Sequence, residues 1–421
     1  MKRKSDREGA TFTYELAGRK DYSIFATPPN LRALNALAIA SAVFEIEQAT
    51  RERPIRRALL AAYGSKNSRP DLSGLDVLVH DVLTFVLADD VDIAFRTKKA
   101  KPNSRNEPVM FEPVANVCLF SGGVDSYAGL LTAKRTLGDV EGVFCAHSDQ
   151  SRMIHIVRHI QEAILGKAGI TLHKLSVPSI GARGYAQMRG FLYMVSAAAW
   201  MHVLQAGRLI VTECGPTMYQ PRFSPLDSIT MTTHPVVVRF SKQVIETVLG
   251  REIDILLPFE DLTKAEVMAV SPEKEGLRAT HSCISQRFGK HDGTCYGCVI
   301  RRLAAVASGV DDVTYDRNPI EDEDARAGNL FSLLTYCYDI LTNYHGMESY
   351  EIEAVQAYGK HDLFRRFALD NFAAIHRLIS GGYRVQSSIQ RMYEGLIAEI
   401  GTGVLETRIA ELARGEFVPA F

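Results

Sequence analysis

The chain has 421 residues, 46% hydrophobic and 23% charged, a globular composition in a length that exceeds one typical core, so two or three domains are expected. A formal net charge of −1 removes the broad electrostatic pull of a nucleic-acid binder, and no apolar run reaches the length of a bilayer span. Seven cysteines at irregular spacing argue against a secreted disulfide framework and leave metal binding, catalysis or burial. In chain order, the opening MKRKSDREGATF lacks the apolar segment of a secretory signal, which makes the cytoplasm the expected location. Leu31 to Gln48 carries apolar residues at helical spacing, and Ile55 to Tyr63 and Leu75 to Leu87 continue the helical trend, while Val91 to Phe95 reads as a strand. Lys98 to Pro108 is polar, charged and proline-bearing, as a linker is, and it closes a first unit of about 110 residues with no metal-type or nucleophile-type cluster.

Asn116 to Leu130, NVCLFSGGVDSYAGL, then reads as strand, tight glycine turn and helix. The two glycines let the backbone approach a ligand, and the following helix points its unpaired N–H groups and positive dipole end at the loop. Ser121 and Ser126 add hydroxyls on either side of Gly122 and Gly123, and Asp125 either caps the helix or helps hold a Mg²⁺ brought in with a nucleotide. A Walker loop would carry Lys before its terminal Ser or Thr, where Asp125 stands, so this is another kind of phosphate loop. It resembles the SGGxDS signature of the pyrophosphate-loop ATPases, which transfer AMP to a carboxylate or carbonyl oxygen and release pyrophosphate.

Beyond the loop, strands at Gly142 to Ala146, Thr171 to Val177 and Arg208 to Thr212 alternate with helices at Arg152 to Leu165 and Gly190 to Gln205, which predicts an α/β fold with a parallel sheet. Ligands of such sheets sit beyond the carboxyl ends of the strands, so residues 121–126, 147–150 and 213–216 are the candidates. Arg189 opens an apolar helix, where its charge opposes the dipole unless it meets an anion such as phosphate; an exposed Arg is the alternative. Glu213, just past a strand, is placed to hold Mg²⁺ or to accept from a purine-like ring. Pro221 to Pro235 has the prolines of a long loop, in which Asp227, Thr232, Thr233 and His234 offer hydrogen-bonding groups, or His234 is a plain loop residue. In Asp261 to Glu266, DLTKAE, Thr263 is a possible helix cap and Lys264 lies just inside, a position better explained if it meets phosphate or carboxylate.

Cys283, Cys295 and Cys298 fall within sixteen residues. Thiolates at this spacing suit tetrahedral Zn²⁺, with His281, His291 or Asp292 as the fourth donor. A thioredoxin-like redox pair at Cys295 and Cys298 is the rival, and a zinc deaminase is poorly supported because its HxE element is absent. Leu330 to Tyr344, Tyr350 to Tyr358, Leu363 to Leu378 and Ser387 to Ile400 look like amphipathic helices, giving an all-helical cap at the end of the chain.

Phosphate loop, Thr263-Lys264-Ala265-Glu266, Ser282-Cys283 and Cys295-x-x-Cys298-x-x-Arg301 occur in the order and rough spacing of the 7-cyano-7-deazaguanine synthase (QueC) family, which residues from about 115 to 310 resemble. The resemblance implies a Rossmann-like, adenine nucleotide alpha hydrolase-like sheet at 111–312, with an N-terminal α+β unit at 1–110 and a helical extension at 313–421. It implies ATP on Ser121, Gly122, Gly123, Asp125 and Ser126, with Lys264 and Arg301 facing phosphate or a substrate carboxylate. Its four zinc cysteines map here onto Cys283, Asp292, Cys295 and Cys298, so one thiolate is replaced and Asp292 or the adjacent His291 completes the set. The implied reaction adenylates 7-carboxy-7-deazaguanine, converts it to the amide with ammonia, and with a second ATP dehydrates that to the nitrile. The added segments, and Thr232-Thr233-His234-Pro235 after Glu213-Cys214-Gly215, resemble the QueC-like proteins of bacterial antiphage systems, the Qat system and QueC-containing CBASS operons. That likeness implies capture of the activated carboxylate by an amine of a partner protein. A biosynthetic nitrile synthase and a non-catalytic nucleotide-binding scaffold are the alternatives, and a tRNA-thiolating enzyme is weaker given the neutral charge.

Overall fold

The computed structural model describes residues 11–14, 16, 24–51, 54–64, 70–87, 90–100, 110–147, 151–177, 187–219, 232–284, 291–321, 328–342 and 358–421. Most of the expected linker at 98–108, positions 148–150, the part of the expected loop at 221–235 up to residue 231 with Asp227, the last two residues of the expected helix at 330–344 and the expected helix at 350–358, apart from its last residue, lie outside them.

Strand β1 (Thr11–Tyr14) is followed by helix α1 (Leu31–Thr50), β2 (Arg57–Gly64), α2 (Leu75–Leu87) and β3 (Asp92–Lys99). The three strands form a parallel sheet in the order β1-β2-β3, with Tyr14 opposite Leu60 and Leu60 opposite Phe95. The helical trend expected over Ile55 to Tyr63 is therefore corrected to a strand. A run as short as ALLAAY satisfies helix and buried strand alike, and parallel strands covered on both faces read as continuous apolar runs. Helix α1 is buried on nearly every side, because it lies between this sheet and a helix of the second one.

The second sheet is assembled from β4 (Asn116–Leu119), α3 (Val124–Leu137), β5 (Val140–His147), α4 (Ser151–Ile160) with a π turn at Gln161–Leu165, β6 (Leu172–Val177), α5 (Arg189–Val203), β7 (Arg208–Ile210), α6 (Gly215–Tyr219), α7 (Pro235–Leu249), β8 (Asp254–Leu256), α8 (Lys264–Val270) and α9 (Tyr296–Ser308). All five strands run parallel in the order β6-β5-β4-β7-β8. Successive residues point to opposite faces. Val117, Val143 and Leu209 pack with α1, α5 and α7 on one side, while Cys118, Phe144 and Ile210 pack with α3, α4 and α9 on the other. The α/β, Rossmann-like core is as expected. Among the described residues four helices follow: α10 (Gly328–Thr342), α11 (His361–Ser380), α12 (Ser387–Ile400) and α13 (Thr402–Arg414). They share the core of α3 and α9 through Leu333, Phe364, Phe372, Leu396 and Leu405. Among the described residues no helix is long and apolar enough to cross a membrane.

From β4 the chain winds outward to β5 and β6, then returns to β7 and β8 on the other flank. The reversal puts a crevice at the carboxyl ends of β4 and β7, where open parallel sheets bind ligands. The glycine loop follows β4 and Glu213-Cys214 follows β7.

Candidate active site

The loop after β4 is braced by its own side chains. Ser126 Oγ donates to Gly123 O (3.1 Å) and accepts from Ser121 N (3.1 Å), the two serine hydroxyls lie 3.0 Å apart, and Gly123 N donates to Ser121 Oγ at 3.3 Å. Gly122 turns through φ +79°, the left-handed region that favours glycine. Its carbonyl accepts from His281 N at 2.9 Å, so a distant segment fixes the loop from below. Gly123 is the N-cap of α3 and offers no side chain to the first turn. The N–H groups at the start of this fourteen-residue helix thus face the crevice with the positive end of the dipole behind them.

Asp125, in that first turn, meets Lys264 across the crevice. Lys264 Nζ donates to both carboxylate oxygens at 2.7 and 2.6 Å, and both side chains are largely enclosed. Cys214 N donates weakly to Asp125 Oδ2 at 3.5 Å. Glu213 joins the group: oxygens of Asp125 and Glu213 and the Cys214 sulfur lie within 4.8 Å of one another. Burial, and then the neighbouring Asp125 charge, pushes the Glu213 carboxyl well above the usual carboxylate range, against the opposing pull of Lys264 and Arg189. Burial alone would lower the Lys264 ammonium, but Asp125, Cys214 and Glu213 together outweigh it and hold it above its ordinary value. Burial raises the Cys214 thiol to about 12 and keeps it protonated. Two carboxyl groups at one crevice suit a hard, oxygen-seeking cation such as Mg²⁺, whose binding would displace the proton that burial keeps on Glu213.

Lys264 reaches this position because α8 starts at it. Thr263 Oγ1 accepts from Glu266 N at 3.2 Å and the Glu266 carboxylate accepts from Thr263 N at 2.9 Å, a capping box whose Thr-x-x-Glu spelling is visible in the sequence. Arg189 opens α5, and its charge is felt at Glu213. Just before that helix the buried Glu47 of α1, paired with Arg51 at 2.7 Å, accepts from Gln187 N (2.6 Å) and Met188 N (2.9 Å), so these leading N–H groups are satisfied from within the chain.

Two expected site residues are placed elsewhere. Arg301, expected to face phosphate or substrate, is wholly enclosed. Its Nε donates to Asp312 Oδ1 (2.8 Å), Nη1 to Thr280 O and Oγ1 (2.9 and 3.0 Å), and Nη2 to Leu277 O (2.8 Å). A guanidinium committed in this way braces the segment leading to His281 and leaves no face toward the crevice. His234 is the N-cap of α7, its Nδ1 accepting from Val236 N at 3.3 Å, and its ring lies against Phe85 and Tyr358. Among the described contacts none joins it to Asp125, Glu213 or Lys264.

The cysteine cluster closes on itself. Donor atoms of Cys283, Asp292, Cys295 and Cys298 lie within 4.8 Å of one another, with Cys283 and Cys295 sulfurs 3.9 Å apart. Zinc–sulfur bonds of about 2.3 Å in tetrahedral geometry put sulfurs about 3.8 Å apart, so the donor set fits zinc. Asp292 Oδ1 accepts from Thr294 N (2.8 Å) and Cys295 N (2.9 Å), which orients the carboxylate. His291 stands beside the group, Nδ1 3.8 Å from Cys298 Sγ, and burial, then Arg301, lowers its imidazole to about 4, leaving it neutral. The hydrogen bond between Cys295 and Cys298 lowers the first thiol and raises the second.

Sequence reasoning offers His281 only as a possible zinc donor and misses that its backbone holds the loop; it also misses the partners of Glu266, which lie a hundred residues and more away. No local pattern marks either. No family model matches the chain. Over 219 residues it is 25% identical to the 7-cyano-7-deazaguanine synthase of Methylobacillus flagellatus, an alignment that spans 47% of this chain and 94% of that protein. The chain is thus distantly similar to a QueC-type synthase over about half its length, with its remaining segments outside that likeness.

Proposed function

We propose that the protein is an ATP-dependent, QueC-like ligase that adenylates a 7-carboxy-7-deazaguanine-type carboxylate and passes it to an amine, forming an amide. The observation that carries this reading is the meeting of the Ser121–Ser126 loop with the Asp125–Lys264 pair and Glu213 at the switch point of a parallel sheet. The carboxylate oxygen attacks the α-phosphorus of ATP, the bond to the bridging oxygen breaks, and pyrophosphate leaves with its electron pair. The amine nitrogen then attacks the acyl carbon, AMP departs and the amine loses a proton. Backbone N–H groups at the start of α3 hold the departing pyrophosphate, and Ser121 and Ser126 keep the loop in shape. Lys264 offsets the charge that develops on phosphate, and Arg189 adds positive potential beside Glu213. Asp125 and Glu213 would hold Mg²⁺, which supplies charge neutralisation when bound. Cys283, Asp292, Cys295 and Cys298, with His291 as the alternative to Asp292, would hold a structural Zn²⁺.

The acceptor amine in this reading belongs to a partner protein encoded in the same operon, and the setting is antiphage defence in the cytoplasm. Support comes from the resemblance to QueC-like proteins of such systems and from the half of the chain that the synthase does not account for. Ammonia-dependent nitrile formation is the second reading, favoured by the likeness to a 7-cyano-7-deazaguanine synthase. Mass spectrometry of products formed from ATP, 7-carboxy-7-deazaguanine and either ammonium or the co-expressed neighbouring proteins separates the two. A deazaguanine amide on a protein amine is expected; rapid and complete nitrile formation from ammonium would select the second reading, and no product with either would leave a nucleotide-binding scaffold.

A further inference from the structure

We infer that the C-terminal helices set the position of Lys264, through Arg408 and Arg366 gripping the capping box from which that lysine springs; this rests on the reaction proposed above. Helix α8 has seven residues, too few for its own hydrogen bonds to fix its direction. What fixes it is the buried Glu266 at its third position. Arg408 of α13 and Arg366 of α11 both donate to the Glu266 carboxylate. Arg408 Nε also donates to Asp370 Oδ1 at 2.7 Å, and Asp370 in turn accepts from the Thr263 hydroxyl, the N-cap itself. Arg366 adds a bond to Asp261 O at 2.8 Å, two residues before the cap. Glu266, Asp370 and Arg408 are all buried; Arg408 also pairs with Glu411 and Arg366 with Asp362 nearer the surface, but the enclosed carboxylates Glu266 and Asp370 find their cations in this one orientation, and any other leaves a buried charge without its counterpart.

The consequence falls on the adjacent residue. Lys264 follows Thr263 directly, and its ammonium sits 2.6 and 2.7 Å from the Asp125 oxygens. A tilt of α8 small enough to leave the core packed moves that ammonium away from the crevice. Arg408 and Arg366 therefore act as positioning residues; neither touches the crevice groups in the described contacts.

The test compares wild type with Arg408→Gln, Arg408→Lys and Arg366→Gln by pulsed acetylation, with the labelling of Lys264 read by peptide mass spectrometry and Lys134 on α3 as the internal control. Arg408→Gln is expected to label Lys264 faster with Lys134 unchanged, and Arg408→Lys to return labelling toward wild type. With ATP and 7-carboxy-7-deazaguanine, kcat for pyrophosphate release is expected to fall about a hundredfold, the scale of a small misplacement, with KM for ATP far less affected. If Arg408→Gln does not fold, the double variant Asp370→Asn/Arg408→Gln removes the charge pair together, and Arg366→Gln, nearer the surface, probes the same carboxylate; each is expected to raise Lys264 labelling. Folded variants whose Lys264 labelling and kcat match wild type overturn the inference. Wild-type protein without carboxylate-dependent pyrophosphate release would sink the proposed reaction instead, and the labelling would still decide whether these arginines position Lys264.

Discussion

Replacing Arg301 with methionine keeps much of the aliphatic stem and deletes the guanidinium, which separates a bracing role from a catalytic one. Four hydrogen bonds of 2.8 to 3.0 Å disappear, one to Asp312 and three to the Leu277 and Thr280 segment. Bonds from a charged donor contribute about 1.5–3 kcal/mol each, but these share one group and do not add. What remains is a mostly enclosed Asp312 carboxylate and carbonyls stripped of that donor. Removing one partner of a buried pair costs about 3–5 kcal/mol, a large part of the roughly 5–15 kcal/mol that holds a domain folded. Urea unfolding is the assay, with the midpoint expected to fall while the slope stays constant. Because His281 N bonds to Gly122 O just beyond the braced segment, ATP affinity should weaken in the same variant. A variant with the wild-type midpoint and no turnover would refute the reasoning and return Arg301 to the chemistry.

Other consequences are open to measurement. Elemental analysis should find about one zinc per chain, lost in Cys298→Ser and weakened more by Asp292→Ala than by His291→Ala; equal effects of the last two would remove the preference for Asp292. The Glu213 carboxyl is raised in the folded state, by burial first and then by Asp125. A raised folded value means that its contribution is fully present below the free value of 4.5 and is lost as pH rises through the folded value. Glu213→Gln should therefore gain stability over wild type at mildly alkaline pH and match it under acid conditions, and parallel unfolding curves at both would contradict this. Gly129→Ala places a Cβ 2.3 Å from Thr212 Cβ, where α3 crosses the end of β7, so overpacking of about 1–3 kcal/mol is expected and calorimetry would detect it.

Much of the molecule was readable from local pattern. The helices at 31–50, 75–87 and 387–400 follow their apolar spacing, and the strand before the loop and the Thr263 cap need a few residues each. Strand β2 was misread because a short apolar run carries no period that separates helix from buried strand. Strand β8, three residues long, and helix α13, whose start is hidden in the Gly401-Thr402-Gly403 turn signal, were missed for want of length and contrast. The site divides in the same way. The glycine loop and the cysteines are local and were legible, while the Asp125–Lys264 pair joins positions 139 residues apart. The sequence motif around Arg301 names the residue without saying which way its guanidinium points, and the structure turns it inward.

ATP–pyrophosphate exchange tests the central claim most directly, because it reports attack of a carboxylate on the α-phosphorus whatever amine completes the reaction. Labelled pyrophosphate should enter ATP when 7-carboxy-7-deazaguanine is present and cease to do so in Lys264→Ala. Release of ADP and phosphate, or exchange indifferent to both the carboxylate and Lys264, would contradict the account.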